Sequence, residues 1–135
     1  MDEELQRIRE KKQKELESKL HPEDPKPTGI VHTLDTTNFQ AMLSSQPRLV
    51  VDFWAEWCGP CRMVAPVIEE LSKDMAGIVT FGKCNTDKNP RIAGGFGISA
   101  IPTVILFSQG RIADTIVGAY PKEAIRARIM KAFRL

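Results

Sequence analysis

Arg48-Leu49-Val50-Val51-Asp52-Phe53-Trp54-Ala55 runs straight into Glu56-Trp57-Cys58-Gly59-Pro60-Cys61, and the fold turns on how that join is read. The first part is apolar and rich in β-branched and aromatic residues, the pattern of a strand covered on both faces. Between Leu49 and Ala55, Asp52 is the one charge. The second part is a short break carrying a cysteine pair. Beyond it, from Cys61 to Met75, Val64, Val67, Ile68 and Leu71 fall on one helical stripe. Pro66 interrupts that helix and is expected to kink it. A buried strand entering an amphipathic helix through two cysteines is the centre of an α/β unit.

Working outward, the same alternation repeats. Ile30 to Leu34 reads as a short strand, and Thr36 or Thr37 can cap a helix carrying Phe39, Met42 and Leu43. Ile78 to Cys84 reads as the next strand, with a short helical turn after Asn89-Pro90. Thr103 to Phe107 and Arg111 to Val117 flank Ser108-Gln109-Gly110, a hairpin signature. A last helix runs from about Pro121 to Phe133, with Ala124, Ile125, Ile129 and Ala132 or Phe133 inward. Strand–helix alternation closed by a hairpin means an α/β domain with a mixed sheet. No internal repeat is visible.

A chain of 135 residues, 42% hydrophobic and 27% charged, has room for one domain with one good core. Its formal net charge of +2 shows no basic stripe, so a nucleic-acid partner is not expected. No apolar run approaches the roughly 18–20 residues that span a bilayer, so no membrane association is expected. The start of the chain is densely charged and lacks the apolar core of a secretory signal. Three cysteines are too few for a disulfide scaffold. The expected compartment is the reducing cytoplasm.

Composition breaks once. Residues 1–28 form a charged extension and a proline-rich linker, and residues 29–135 form the folded domain. The i,i+4 pairs Glu3–Arg7, Glu10–Lys14 and Glu15–Lys19 favour a helix in the arm, each by about 0.3–0.5 kcal/mol. Lys12 and Glu15 stand where a heptad seam would need apolar residues, so a coiled coil is not expected. The arm is read as a solvated helix or a disordered segment, and the protein as a monomer.

Cysteines three apart at a helix start can reach the ~4.4–6.8 Å Cα separation that a disulfide tolerates. Attack on a disulfide needs a thiolate. Cys58 precedes the helix, whose positive end contributes about 0.3–1 kcal/mol, or ~2 when partly buried. At about 1.36 kcal/mol per unit, the dipole lowers the thiol by roughly one and a half units at most. Cys58 is therefore expected to be the exposed nucleophile and Cys61, inside the helix, the buried resolving thiol. Gly59 keeps side-chain bulk away from an incoming substrate, and Pro60 stiffens the loop where an N–H would go unpaired anyway. Zinc wants four ligands, and only Cys84, His21 and His32 remain as soft donors. No metal and no cofactor are expected.

The run Val51 to Cys61 closely resembles the thioredoxin family. Further matches follow in order: Pro66, Lys83, Asp87, Asn89-Pro90, Gly97-Ile98, Ile101-Pro102-Thr103, Phe107, Gly110 and Val117-Gly118-Ala119. They cover roughly residues 29–135. The resemblance implies a thioredoxin fold, a mixed five-stranded sheet in the order 1-3-2-4-5 with helices on both faces. It implies that Asp52 is a buried acid moving the proton of Cys61, tuned by Lys83, and that Pro102 is a cis-proline facing the cysteines. It also implies a substrate-docking surface of Trp57, Gly59, Pro60, Ile101, Gly118 and Ala119. Arg62 stands where the family often has lysine and Phe96 where it often has tyrosine; Cys84 is read as an inert buried thiol.

The function these readings imply is protein-disulfide reduction, with disulfide-containing proteins as substrates and a thioredoxin reductase as electron donor. Two alternatives stand beside it. An oxidase or isomerase on this fold usually carries histidine before the second cysteine, where this chain has Pro60. A binding or scaffold role would use the domain as a rigid module and the arm as its docking element.

Overall fold

In the computed structural model the described residues are Glu3, Gln6, Arg7 and 28–135. The first three are helical and exposed. The pairs Glu10–Lys14 and Glu15–Lys19 and the linker prolines Pro22, Pro25 and Pro27 lie outside the described residues.

From Val31 onward the elements come as the periodicities require. They are β1 (Val31–Leu34), α1 (Phe39–Ser45), β2 (Arg48–Trp54), α2 (Gly59–Asp74), β3 (Thr80–Asn85), α3 (Pro90–Gly95), β4 (Thr103–Ser108), β5 (Arg111–Val117) and α4 (Lys122–Phe133). One five-stranded sheet has the order β1-β3-β2-β4-β5, as the resemblance implied. β1, β3 and β2 run parallel, and β4 and β5 add antiparallel. The apolar run of β2 thus occupies the middle of the sheet.

Alternation along β2 sends its side chains to two separate cores. Leu49, Val51 and Phe53 join Leu34, Phe39, Cys84 and Phe107 on one face, where Phe96 packs against Phe39, Phe53 and Phe107. A ring without a hydroxyl suits Phe96, because its neighbours there are rings and no polar partner is needed. Val50 joins Val64, Ile68 and Leu71 of α2 and Ile125 and Ile129 of α4 on the other face. Asp52 and Trp54 share the parity of Val50 and so sit on the α2 side. Across the ladder Asp52 is paired with Lys83 on β3 and with Val104 on β4.

Several boundaries shift by a residue or two from expectation, and three of the differences have a plain local cause. β3 begins at Thr80 because the N–H groups of Ile78 and Val79 both donate to Met75 O at 3.0 Å, closing the turn after α2. Neither Thr36 nor Thr37 caps α1. Its cap is Asn38, and the Thr37 N–H and hydroxyl are both held by Asp35 Oδ1. The hairpin turn is only Gln109-Gly110, both at positive φ (54° and 78°), since Ser108 already pairs with Arg111. That turn matches the right-handed twist of its strands. Pro66 lies within α2, which continues past it to Asp74. In α4, Ile125, Ile129 and Phe133 face the core, while Ala124 and Ala132 are only half-buried.

Candidate active site

The middle strand delivers the cysteines. β2 ends at Trp54, and the Cys58 N–H donates to Ala55 O at 3.2 Å, which turns the chain over the sheet edge. Cys58 then takes the cap position of α2 with extended backbone, and its Sγ accepts from the Cys61 N–H at 3.2 Å. Pro60 sits in the first turn, where a missing N–H costs nothing. Cys58 and Cys61 form a disulfide with Cα atoms 5.3 Å apart. The two sulfurs that sequence spacing paired are paired in the structure.

The expectation that Cys58 would be the exposed sulfur does not hold in this oxidised state. Cys58 is 3% exposed and Cys61 2%. The cover over Cys58 comes from far along the chain: Ile101 O lies 3.8 Å from Cys58 Sγ. The disulfide sulfur has no proton to donate to it; the reduced thiol does. The Ile101–Pro102 peptide bond is cis, as the resemblance implied. Pro102 O accepts from the Gly118 N–H at 2.9 Å, so the start of β4 is tied to the residue following β5. Gly118 has φ +108°, a conformation in which a side chain is strained.

Around the pair, Trp57, Gly59, Pro60 and Ala119 are exposed, while Ile101 and Gly118 are half-buried. Trp57 is 71% exposed yet not loose, because its Nε1–H donates to Asp87 Oδ2 at 2.9 Å. Asp87 is fixed in turn by the buried Asn85, whose Oδ1 accepts from the N–H groups of Asp87 and Lys88. Asp87 matched the family pattern, but nothing in the sequence linked it to Trp57, 30 residues away. Met63, Val117 and Tyr120 are further exposed apolar side chains that the expected docking surface did not include.

Behind Cys61 a cavity of about 370 Å³ lies between α2 and the sheet, lined among others by Asp52, Trp54, Glu56, Arg62 and Lys83. Asp52 is 3% exposed, and its Oδ1 is sealed without a hydrogen-bond partner. Burial pushes its carboxyl up to about 7, against a smaller downward pull from the Lys83 ammonium. No ion pair joins the two. Lys83 Nζ instead stands over the Trp54 ring, 5.9 Å from its centroid. Asp52, Lys83 and Cys61, scattered in sequence, therefore meet around one space. Among the described residues no group of three or more His, Cys, Asp or Glu is placed to hold a metal ion. No helix among them is long and apolar enough to cross a membrane.

Comparison with known proteins agrees with this geometry. A family model described as thioredoxin matches residues 30–131. The thioredoxin of Alicyclobacillus acidocaldarius subsp. acidocaldarius is 47% identical over 97 residues, covering 72% of this chain and 92% of that protein. Thioredoxin 1 of Nostoc sp. (strain PCC 7120) is 45% identical over 104 residues, covering 77% and 97%. The solved structure of a mutant thioredoxin from Halobacterium salinarum superposes with a TM-score of 0.75 at 28% identity, covering 82% of this chain and 96% of that one. With a disulfide-forming cysteine pair at the cap of its central helix, this chain belongs to the thioredoxin family and is a thiol–disulfide oxidoreductase acting as a protein-disulfide reductase.

Proposed function

We propose that reduction proceeds in two exchanges at one small site. Cys58, as thiolate, attacks one sulfur of a substrate disulfide; an S–S bond forms to the substrate and the other substrate sulfur leaves as thiolate. Cys61 then gives its proton to the Asp52 carboxylate and attacks Cys58 Sγ. The Cys58–Cys61 bond forms, and the second substrate thiolate leaves. Two electrons have passed from the dithiol to the substrate, and no cofactor enters either step.

The observation that carries this reading is the cap geometry. Cys58 Sγ already accepts from the Cys61 N–H at the positive end of α2, so negative charge on that sulfur meets a donor and a favourable dipole. Asp52 supports the second step: a carboxyl held near 7 both takes and returns a proton at neutral pH. Lys83 tunes it from the neighbouring strand. Gly59 and Pro60 keep the approach clear and the loop stiff, and the backbone at cis-Pro102 offers a strand-like edge to the substrate. Trp57, Ile101, Gly118 and Ala119 supply the apolar contact.

The catalytic unit is residues 29–135, with residues 1–28 an extension to it. It works as a monomer in a reducing, cytoplasmic setting on disulfide-bearing proteins, and a thioredoxin reductase returns it to the dithiol. Insulin-disulfide reduction with a chemical reductant tests the roles. Cys58→Ser is expected to abolish turnover, a loss of at least about 10³-fold, since it removes the attacking sulfur. Cys61→Ser is expected to accumulate mixed disulfides, visible by intact mass. Retained turnover in Cys58→Ser, or mixed disulfides that accumulate in Cys58→Ser and not in Cys61→Ser, would overturn the assignment.

A further inference from the structure

Trp54 belongs to none of the roles above, yet it meets Lys83 and lines the cavity that Asp52 borders. It follows Asp52 by two residues on β2 and so shares its face of the sheet, and it lines the same cavity. Its Nε1 is sealed and without a partner, as is Asp52 Oδ1. Its ring carries the Lys83 ammonium. Lys83 is the cross-strand neighbour of Asp52, and an ammonium so placed next to an unpaired buried carboxylate would ordinarily close into an ion pair. Here it does not.

We propose that Trp54 is a positioning residue for the proton exchange at Asp52: its ring holds the Lys83 ammonium off the carboxylate and walls the cavity against water. The cation–π seat gives Lys83 a resting place other than Asp52. The indole bulk keeps the carboxylate in an apolar surrounding, which is what disfavours its charged form. Both effects act in one direction, toward a carboxyl that retains its proton until neutral pH. The other charged or titratable groups facing this space are Glu56 from the loop before α2, and Arg62 and Cys61 from α2; Arg62 donates to Glu56 O at 3.1 Å. β4 contributes only Val104 opposite Asp52. The inference rests on the reading of Asp52 as the proton acceptor for Cys61, but its test does not pass through activity.

The test is the titration of the Asp52 carboxyl carbon by NMR in the reduced full chain, for the parent, Trp54→Phe, Trp54→Leu and Trp54→Ala. The phenylalanine variant keeps an aromatic seat, so its midpoint is expected within about 0.3 unit of the parent's. The leucine and alanine variants free Lys83 and admit water, and their midpoints are expected to fall by about one unit or more. In a Lys83→Met background, the fall on removing Trp54 is expected to shrink, leaving the part due to water alone. Trp54→Leu keeps the question answerable if Trp54→Ala does not fold. An unchanged or raised midpoint in Trp54→Leu would overturn the proposal. So would a shift in Trp54→Phe as large as in Trp54→Leu, because the N–H and not the ring would then be the agent. A separate Asp52→Asn assay of mixed-disulfide breakdown tests the underlying reading: a rate unchanged across pH would remove Asp52 from the chemistry while leaving the Trp54 result standing.

Discussion

Asp52 and Cys84 are two buried ionisable side chains on neighbouring strands that face opposite sides of the sheet. Burial raises both, Asp52 to about 7 and Cys84, with the Asp35 carboxylate adding to the effect, to about 11. Cys84 is 0% exposed and packs with Leu34, Phe53 and Phe107. Asp52 borders a cavity that also reaches Cys61. Desolvation is common to the two sites; access is not. A raised proton affinity becomes chemistry only where a second reacting group shares the space, and the strand parity that separates position 52 from position 84 decides which site has one.

Exchanging the chemistry of the two faces should break the comparison most severely. Cys84→Asp puts a carboxyl among aromatic rings at a position closed to solvent, and an uncompensated buried charge or polar group there costs about 3–5 kcal/mol. Urea midpoints at pH 8 measure this. A loss below about 1 kcal/mol would mean that the Cys84 face admits water as readily as the Asp52 face.

Next in size is the pH dependence that Asp52 imposes on stability. Its folded value of about 7 lies above the ordinary 3.8, so the folded state binds the proton more tightly than the unfolded chain. That contribution is complete below about pH 4, declines as pH rises, and is gone above about pH 7. The slope is about 1.4 kcal/mol per pH unit, and the whole fall is on the order of 4 kcal/mol. Asp52→Asn lacks the titration. Whatever constant offset its amide brings, it should gain on the parent by that amount between pH 4 and pH 7. Parallel stability curves for the two proteins would remove Asp52 from the set of shifted carboxyls.

This contrast was half legible in the sequence. The apolar run from Leu49 to Phe53 announced a doubly covered strand, and Asp52 inside it announced a desolvated acid. The cysteine spacing announced the disulfide. Those features are local, so strand period and helix start suffice to read them. The cover over Cys58 was not legible, because it is supplied by Ile101, 43 residues away, through a loop whose path depends on the closed sheet. The Trp57–Asp87 bond and the seating of Lys83 on Trp54 were hidden for the same reason: each joins separate strands or loops. The cap of α1 failed differently. Thr36 and Thr37 have cap-competent hydroxyls, but the neighbouring Asp35 carboxylate is a stronger acceptor and claims Thr37 for its own turn.

The smallest expected effects concern Cys84 itself, and they sharpen the comparison from its quiet side. A thiol held at about 11 is almost wholly protonated at pH 8, and packing leaves no path to it. In the reduced protein, alkylation should label Cys58 readily and Cys84 at least ~100-fold more slowly than an ordinary free thiol, following transient opening of the domain and not the thiol's own titration. Cys84→Ala should cost only about 1 kcal/mol, since the atom removed is no larger than a methyl group and the rings around it close part of the gap. Turnover should be unchanged, because no proton or sulfur exchange passes through that face. If Cys84→Ala slowed disulfide reduction several-fold with stability intact, the two faces would be coupled through β2 and β3, and the division between a working side and a packing side would fail.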